Sequence, residues 1–133
     1  MSDGGETVGI VLVAAKEDLL SNLRDALAET NLALLHASTK EEAIALLQRL
    51  KSQIDLAIID LDLSDLGGWD LIKQLTWRPQ KPVKIIATTS VYPEGFFGKV
   101  KELGVDEVVR VAIPAEAWRR TVETVLGKNG NAI

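Results

Sequence analysis

The chain has 133 residues, 47% hydrophobic and 26% charged, with a formal net charge of −4, which describes one globular domain with room for a continuous core. It contains no cysteine and one histidine, His36, so disulfides and thiolate metal sites are excluded and a histidine-based zinc site is not expected. The acidic balance argues against nucleic-acid binding by the whole domain. No apolar run approaches the ~18 residues that span a bilayer, and the acidic, glycine-rich start MSDGGET is unlike a signal peptide, so the expected location is the cytoplasm.

In chain order, residues 1–7 are polar and expected to be loose. Val8–Ala14 is a near-continuous apolar run that reads as a buried strand. From Lys16 the period changes, and Leu19, Leu20, Leu23, Ala26 and Leu27 lie on one helical face up to Glu29. Glu17 and Asp18 then fall in a first helical turn, where the helix dipole favours acids. Leu32–Ala37 reads as a second strand, with His36 a strand residue having one satisfied ring nitrogen. Ser38 and Thr39 each have a glutamate three residues on, the spacing of a capping box for the helix that Ala43–Leu50 continues.

The segment Ile54–Leu71, IDLAIIDLDLSDLGGWDL, opens on Leu56-Ala57-Ile58-Ile59, a run suited to a strand buried on both faces, and stops on Asp60. Gly67-Gly68 supplies a turn, and Trp69, Ile72 and Leu75 follow at helical spacing. Pro79 and Pro82 bracket a loop before a strand over Val83–Thr88. Tyr92-Pro93-Glu94-Gly95 breaks that strand, Phe96–Leu103 is helical by pattern, and Gly104 is placed to end the helix in a left-handed cap. Glu107–Ile113 reads as the fifth strand, and Pro114 fits the first turn of a last helix reaching about Leu126. The tail, 127–133, is expected to be loose.

Five strands alternating with five helices predict a five-stranded parallel sheet, doubly wound in the flavodoxin-like (βα)5 manner, over residues 8–126. In such sheets ligands and chemistry collect at the carboxyl ends of the strands, which is where Asp60 falls. The plain alternative for Asp60 is a loop or helix-capping acid.

The strand ending in Asp60 with its loop and glycine, the Lys81-Pro82-Val83 start of the fourth strand and the run Glu102-Leu103-Gly104-Val105-Asp106-Glu107 together resemble the receiver domains of response regulators, the CheY-like family. The resemblance covers roughly residues 8–126. It implies that Asp60 corresponds to the phosphoacceptor. It also implies two acids after the first strand that hold Mg²⁺ together with that aspartate, a lysine at the end of the last strand, and a Thr or Ser at the end of the fourth. Aligned without a gap, the two acid positions are Ala14 and Ala15, and the lysine position is Val111, with Arg110 predicted to point to the other face of the strand. The hydroxyl position counted from Pro82 is Ala87, with Thr88 and Thr89 next. Using Glu17 and Asp18 as the acids would need a three-residue shift that pulls Leu19, Leu23 and Leu27 out of register. Asp62 reads as a solvated loop acid.

The resemblance with these departures implies a degenerate member, a pseudo-receiver. Such a domain is a non-enzymatic protein–protein interaction module of two-component signalling, needing no cofactor and holding no metal. Its partner would be a signalling protein or an attached effector domain, with no membrane or nucleic acid. Asp60, relieved of acid neighbours, is expected to bond loop amides or a hydroxyl such as Thr88. Two alternatives stand beside this: a working Asp60 phosphoacceptor whose atypical acid set of Asp60, Asp62 and Glu17 binds Mg²⁺, and a flavodoxin-like small-molecule binder. The second lacks a glycine in Ala14-Ala15-Lys16-Glu17 to cradle a phosphate. Tyr92, Phe96, Phe97 and Trp118 are the candidates for a partner surface; the competing reading is that some pack inward, Trp118 with Arg119 and Arg120 solvated.

Overall fold

The computed structural model describes residues 9–50, 53–62, 68–76, 83–90, 96–110 and 113–127, without the side chains at 68–69, 76 and 96–97. The expected loose ends, 1–7 and 127–133, lie outside these apart from Gly127. The elements run β1 (Gly9–Ala14), α1 (Glu17–Ala26), β2 (Leu32–Ala37), α2 (Lys40–Leu50), β3 (Ile54–Asp60), α3 (Gly68–Thr76), β4 (Lys84–Thr89), α4 (Phe96–Glu102), β5 (Glu107–Arg110) and α5 (Ala115–Gly127). All strand pairs are parallel, in the order β2-β1-β3-β4-β5.

Strand alternation divides the core into two layers. Leu12, Ala14, Ile59, Ile85 and Ala87 face a layer closed by Ala43 and Leu47 of α2, Leu71, Ile72 and Leu75 of α3 and Val100 of α4. Val11, Val13, Ile58, Ile86 and Val109 face the other, closed by Leu19, Leu20 and Leu23 of α1 and Trp118, Val122, Val125 and Leu126 of α5. A sheet covered on both faces explains why its strands read as continuous apolar runs.

The order reverses between β1 and β3, the strands from which the chain departs in opposite directions along the sheet. The crevice above them is the topological switch point, and Asp60 stands at its rim. At the opposite end of the same strands the pairing slips: Ile10 pairs with Ile54 but Val11 with Leu56. The extra residue is Asp55, whose Oδ2 accepts the Ile10 N–H at 2.9 Å. A Cβ on Gly9 would meet that Oδ2 at 3.0 Å, so glycine leaves the carboxylate room to reach across.

The caps follow the sequence closely. Gly104, at φ 96°, donates to the Lys101 carbonyl at 3.0 Å, and Val105 N–H reaches the Val100 carbonyl at 3.5 Å. This is a Schellman ending, sealed by contact of two buried valines in one core layer. At α2, Thr39 Oγ1 accepts the Glu42 N–H at 3.1 Å. Glu42 reaches one residue further back than a capping box requires, to the Ser38 N–H at 2.8 Å and hydroxyl at 3.0 Å, and these bonds hold its pKa below the ordinary carboxylate value.

Boundaries differ by a residue in places. β4 runs from Lys84 to Thr89, one residue later than the apolar pattern predicts, while Val8, the expected start of β1, lies outside the described residues. The described part of β5 ends at Arg110; residues 111–112 lie outside the description.

Candidate functional site

The β3 ladder delivers Asp60 to the sheet's carboxyl edge. Ala14 pairs with Ile59 on one side and Thr88 with Asp60 on the other. The Leu61 N–H donates to the Thr88 carbonyl at 2.8 Å, carrying the ladder one residue past the acid. The chain then turns, and the Asp62 N–H donates to Asp60 Oδ1 at 2.9 Å, an aspartate turn that fixes the carboxylate. Asp60 is 6% exposed. Burial raises its pKa above the ordinary carboxylate value; the Asp62 N–H bond opposes this, the Asp62 charge adds to it, and the Lys16 charge opposes it. Expecting no like charge beside Asp60 was therefore wrong, because Asp62 is there.

Asp62 is exposed, yet it is not a solvated loop acid. Its Oδ1 accepts the Thr89 hydroxyl at 2.6 Å, and its Oδ2 accepts the Ser90 N–H at 2.8 Å. Burial pushes its pKa up, but bonds from Thr89 and Ser90, with the Lys16 charge, carry the net shift below the ordinary value. The two aspartates are thus displaced in opposite directions.

On the other side of Asp60 the acid positions are methyl groups. Ala14 and Ala15 are both 0% exposed, Ala14 in the layer of α2–α4 and Ala15 in that of α1 and α5. The loop backbone is pinned to β2: Ala15 N–H donates to the Ala37 carbonyl at 3.2 Å, and His36 Nε2 lies 2.7 Å from the Ala15 carbonyl. That carbonyl can only accept, so the shared proton is on Nε2, and His36 has the satisfied ring nitrogen expected of it. Glu17 opens α1 and is exposed, while Leu19, Leu20 and Leu23 are buried, as the ungapped frame requires.

The hydroxyls at the end of β4 divide by strand alternation. Ala87, the counted position, packs into the layer away from Asp60. Thr88 is in register with Asp60 but does not bond it: its Oγ1 is buried without a partner. Thr89 holds Asp62. Val111 and Tyr92 lie outside the described residues, as do the side chains of Phe96 and Phe97. Arg110 is exposed.

Trp118 does not belong to a partner surface. It is 0% exposed because Trp118, Val122, Val125 and Leu126 form the inward stripe of α5. A concavity of about 310 Å³ lies between the start of β5 and α5, lined by Glu107, Ala117, Arg120, Thr121, Thr124 and Val125.

Octahedral Mg²⁺ wants several oxygen ligands. Among the described residues no group of three or more His, Asp or Glu side chains could hold a metal ion, and the first-strand positions that would complete such a set carry methyls. Asp60 and Asp62 are the carboxylates described at this edge, joined by the Asp62 N–H bond to Asp60 Oδ1.

These features define a class: a (βα)5 domain with a buried carboxylate at the switch point of its sheet. Within it, this chain belongs to the response regulator receiver domain family, whose model matches residues 10–122, and it is a receiver domain of two-component signalling. No curated protein matches it in sequence. Among solved structures it is similar to the signal receiver domain of a Vibrio parahaemolyticus protein, at 19% identity and TM-score 0.80, with 93% of each chain covered. It is also similar to a two-component response regulator from Clostridium difficile, at 21% identity and TM-score 0.77, covering 95% of this chain and 100% of that one. A CheY-like receiver domain protein from Methanospirillum hungatei matches at 18% identity and TM-score 0.76, with 94% and 98% covered. No described helix is long and apolar enough to cross a membrane.

Proposed function

We propose that this receiver domain acts as a phosphorylation-independent protein–protein interaction module, its partner being a signalling protein or an attached effector domain. The observation that carries the reading is the burial of the Ala14 and Ala15 methyls at the edge where the family's two acids hold Mg²⁺. A transferring phosphoryl group is stabilised mainly by cations placed on its developing charge, and neither methyl can recruit one. Incubation with acetyl phosphate and Mg²⁺, followed by intact-mass measurement, should show no phosphoryl adduct. A stoichiometric adduct absent from Asp60→Asn would overturn the reading.

One observation favours the alternative of an atypical phosphoacceptor site: Asp62 is held beside Asp60 by Thr89 and Ser90, so two carboxylates do share this edge. The same measurement decides between them.

A further inference from the structure

The sheet order β2-β1-β3-β4-β5 puts β2 and β5 at its two edges. An edge offers a row of N–H and C=O groups to any strand that meets it, and proteins guard such edges with charge, proline or a bulge. The β5 edge is guarded, since its described strand, EVVR, carries Glu107 and Arg110. The β2 strand, LALLHA, holds no acid, lysine, arginine or proline, and its register with β1 runs unbroken from Leu32 to Ala37. Leu32 to His36 are all partly exposed.

One bond fixes the direction of the free groups. The Ala15 N–H donates to the Ala37 carbonyl at 3.2 Å, so the main chain of Ala37 faces β1. Alternation turns Ala33 and Leu35 the same way and points the N–H and C=O groups of Leu32, Leu34 and His36 outward. The Leu32 N–H is taken by Thr30 Oγ1 at 3.4 Å. The outward groups of Leu34 and His36 have no partner among the described residues. The His36 ring is drawn the other way, its Nε2 lying 2.7 Å from the Ala15 carbonyl that follows β1. The leucines are steadied from behind, Leu32 and Leu34 on the layer of α1 and α5 and Leu35 on that of α2–α4.

We propose that β2 pairs antiparallel with β2 of a second copy of this chain, about a two-fold axis at Leu34, so that one sheet runs through both copies. Leu34 then exchanges N–H and C=O bonds with its own counterpart, and the His36 N–H donates to the Leu32 carbonyl of the other copy. Side chains meet as Leu34 with Leu34, Ala33 with Leu35 and Leu32 with His36, so no like charges are opposed. This match favours a second copy over an unrelated strand, because the edge is its own complement in hydrogen bonds and in charge. The pairing goes beyond the proposed function and does not depend on the state of Asp60.

The test compares the native full chain with Leu34→Pro and Leu34→Val by sedimentation equilibrium from micromolar to millimolar concentration. Amide hydrogen exchange at Leu34 and His36 is followed over the same range. Proline at 34 removes an N–H that the β1 ladder does not use, which an edge strand tolerates, while valine keeps it. Native and Leu34→Val should form a dimer whose Leu34 and His36 amides gain protection as concentration rises. Leu34→Pro should raise the dissociation constant at least about tenfold, the scale of losing a symmetric pair of backbone hydrogen bonds. Should circular dichroism show Leu34→Pro unfolded, the native exchange data decide alone. A native chain that stays monomeric overturns the proposal, even where an unrelated partner protects those two amides. So does a dimer in which they exchange as in the monomer, or one that a folded Leu34→Pro leaves intact.

Discussion

The hydroxyl of Thr89 donates to the Asp62 carboxylate across 2.6 Å, joining the turn after β3 to the last residue of β4. The adjacent Ser90 N–H binds the other oxygen of the same carboxylate at 2.8 Å, so one acid holds two strand ends together. Asp60, two residues earlier, makes no such bridge among the described residues. Its neighbour in register, Thr88, keeps an unpartnered hydroxyl, and the acid turns to the Asp62 amide instead. The edge is organised by Asp62 and buried at Asp60.

The Asp62 bridge should be measurable. Asp62→Ala should destabilise the domain by about 1 kcal/mol, the net worth of a hydrogen bond exposed to solvent, and Thr89→Val should cost less because the Ser90 amide bond remains. A double-mutant cycle by urea unfolding isolates the pair; a coupling indistinguishable from zero would count against the bridge. Because the folded pKa of Asp62 is depressed, its contribution is complete above the unfolded carboxylate value and is lost as pH falls through the folded one. The native and Asp62→Ala stabilities should therefore converge in acid.

Asp60 predicts the opposite dependence. Its folded pKa is raised, mainly by burial, so the folded state binds a proton more tightly than the unfolded chain does. The charged form opposes folding above that raised value, and the penalty disappears as pH falls below the unfolded value. Asp60→Asn keeps an acceptor for the Asp62 N–H and removes the charge. It should melt above native at pH 7, with the advantage shrinking toward acid. A variant that melts lower at pH 7 would show the carboxylate to be a net stabiliser.

What the sequence made legible was whatever depends on neighbours along the chain. The run from Leu56 to Asp60, the helical stripe of Leu19, Leu20 and Leu23, and the left-handed Gly104 ending can each be read within a dozen residues. The Asp62 bridge cannot, since its partner Thr89 is 27 residues away and their meeting depends on the β3–β4 register. Counting from Pro82 selected Ala87, whereas the register sets Thr88 opposite Asp60. The only hint was a carboxylate two residues beyond a strand end, facing a Thr-Thr-Ser run at the end of the next strand.

Trp118, which the sequence allows either as partner surface or as an inward side chain, takes the second place, and the sequence carried the reason. Its spacing to Val122, Val125 and Leu126 is that of a buried helical face, and it is fully enclosed with its indole N–H unpartnered. Trp118→Ala should cost about 3–5 kcal/mol, a large fraction of the stability of a domain this size. Trp118→Phe should cost far less, since the ring remains and a buried unpaired donor is removed. Thermal melts of both variants check the contrast; an unchanged melt for the alanine variant would return Trp118 to the surface.

The last expectation concerns Mg²⁺ and the two alanines. A ligand that binds only the folded form, present at about one hundred times its dissociation constant, adds roughly 2.7 kcal/mol. In a domain near this size that raises Tm by about 5–11 °C. Millimolar Mg²⁺ should produce no such rise in the native chain, because Asp60 and Asp62 lack a first-strand acid to complete an oxygen set. The two alanines are not equivalent places to restore one. Ala14 faces the layer of α2–α4, and a carboxylate there would be buried among apolar side chains without a partner. Ala15 faces the layer of α1 and α5, next to the strand that carries Asp60. Ala15→Asp should therefore melt below native without metal, through burial and repulsion from Asp60, and recover part of the loss in Mg²⁺. Ala14→Asp should melt lower still and recover nothing. Paired melts with Mg²⁺ and with chelator separate these outcomes, and a Mg²⁺-specific rise in the native protein would mean that a complete metal site already exists at this edge.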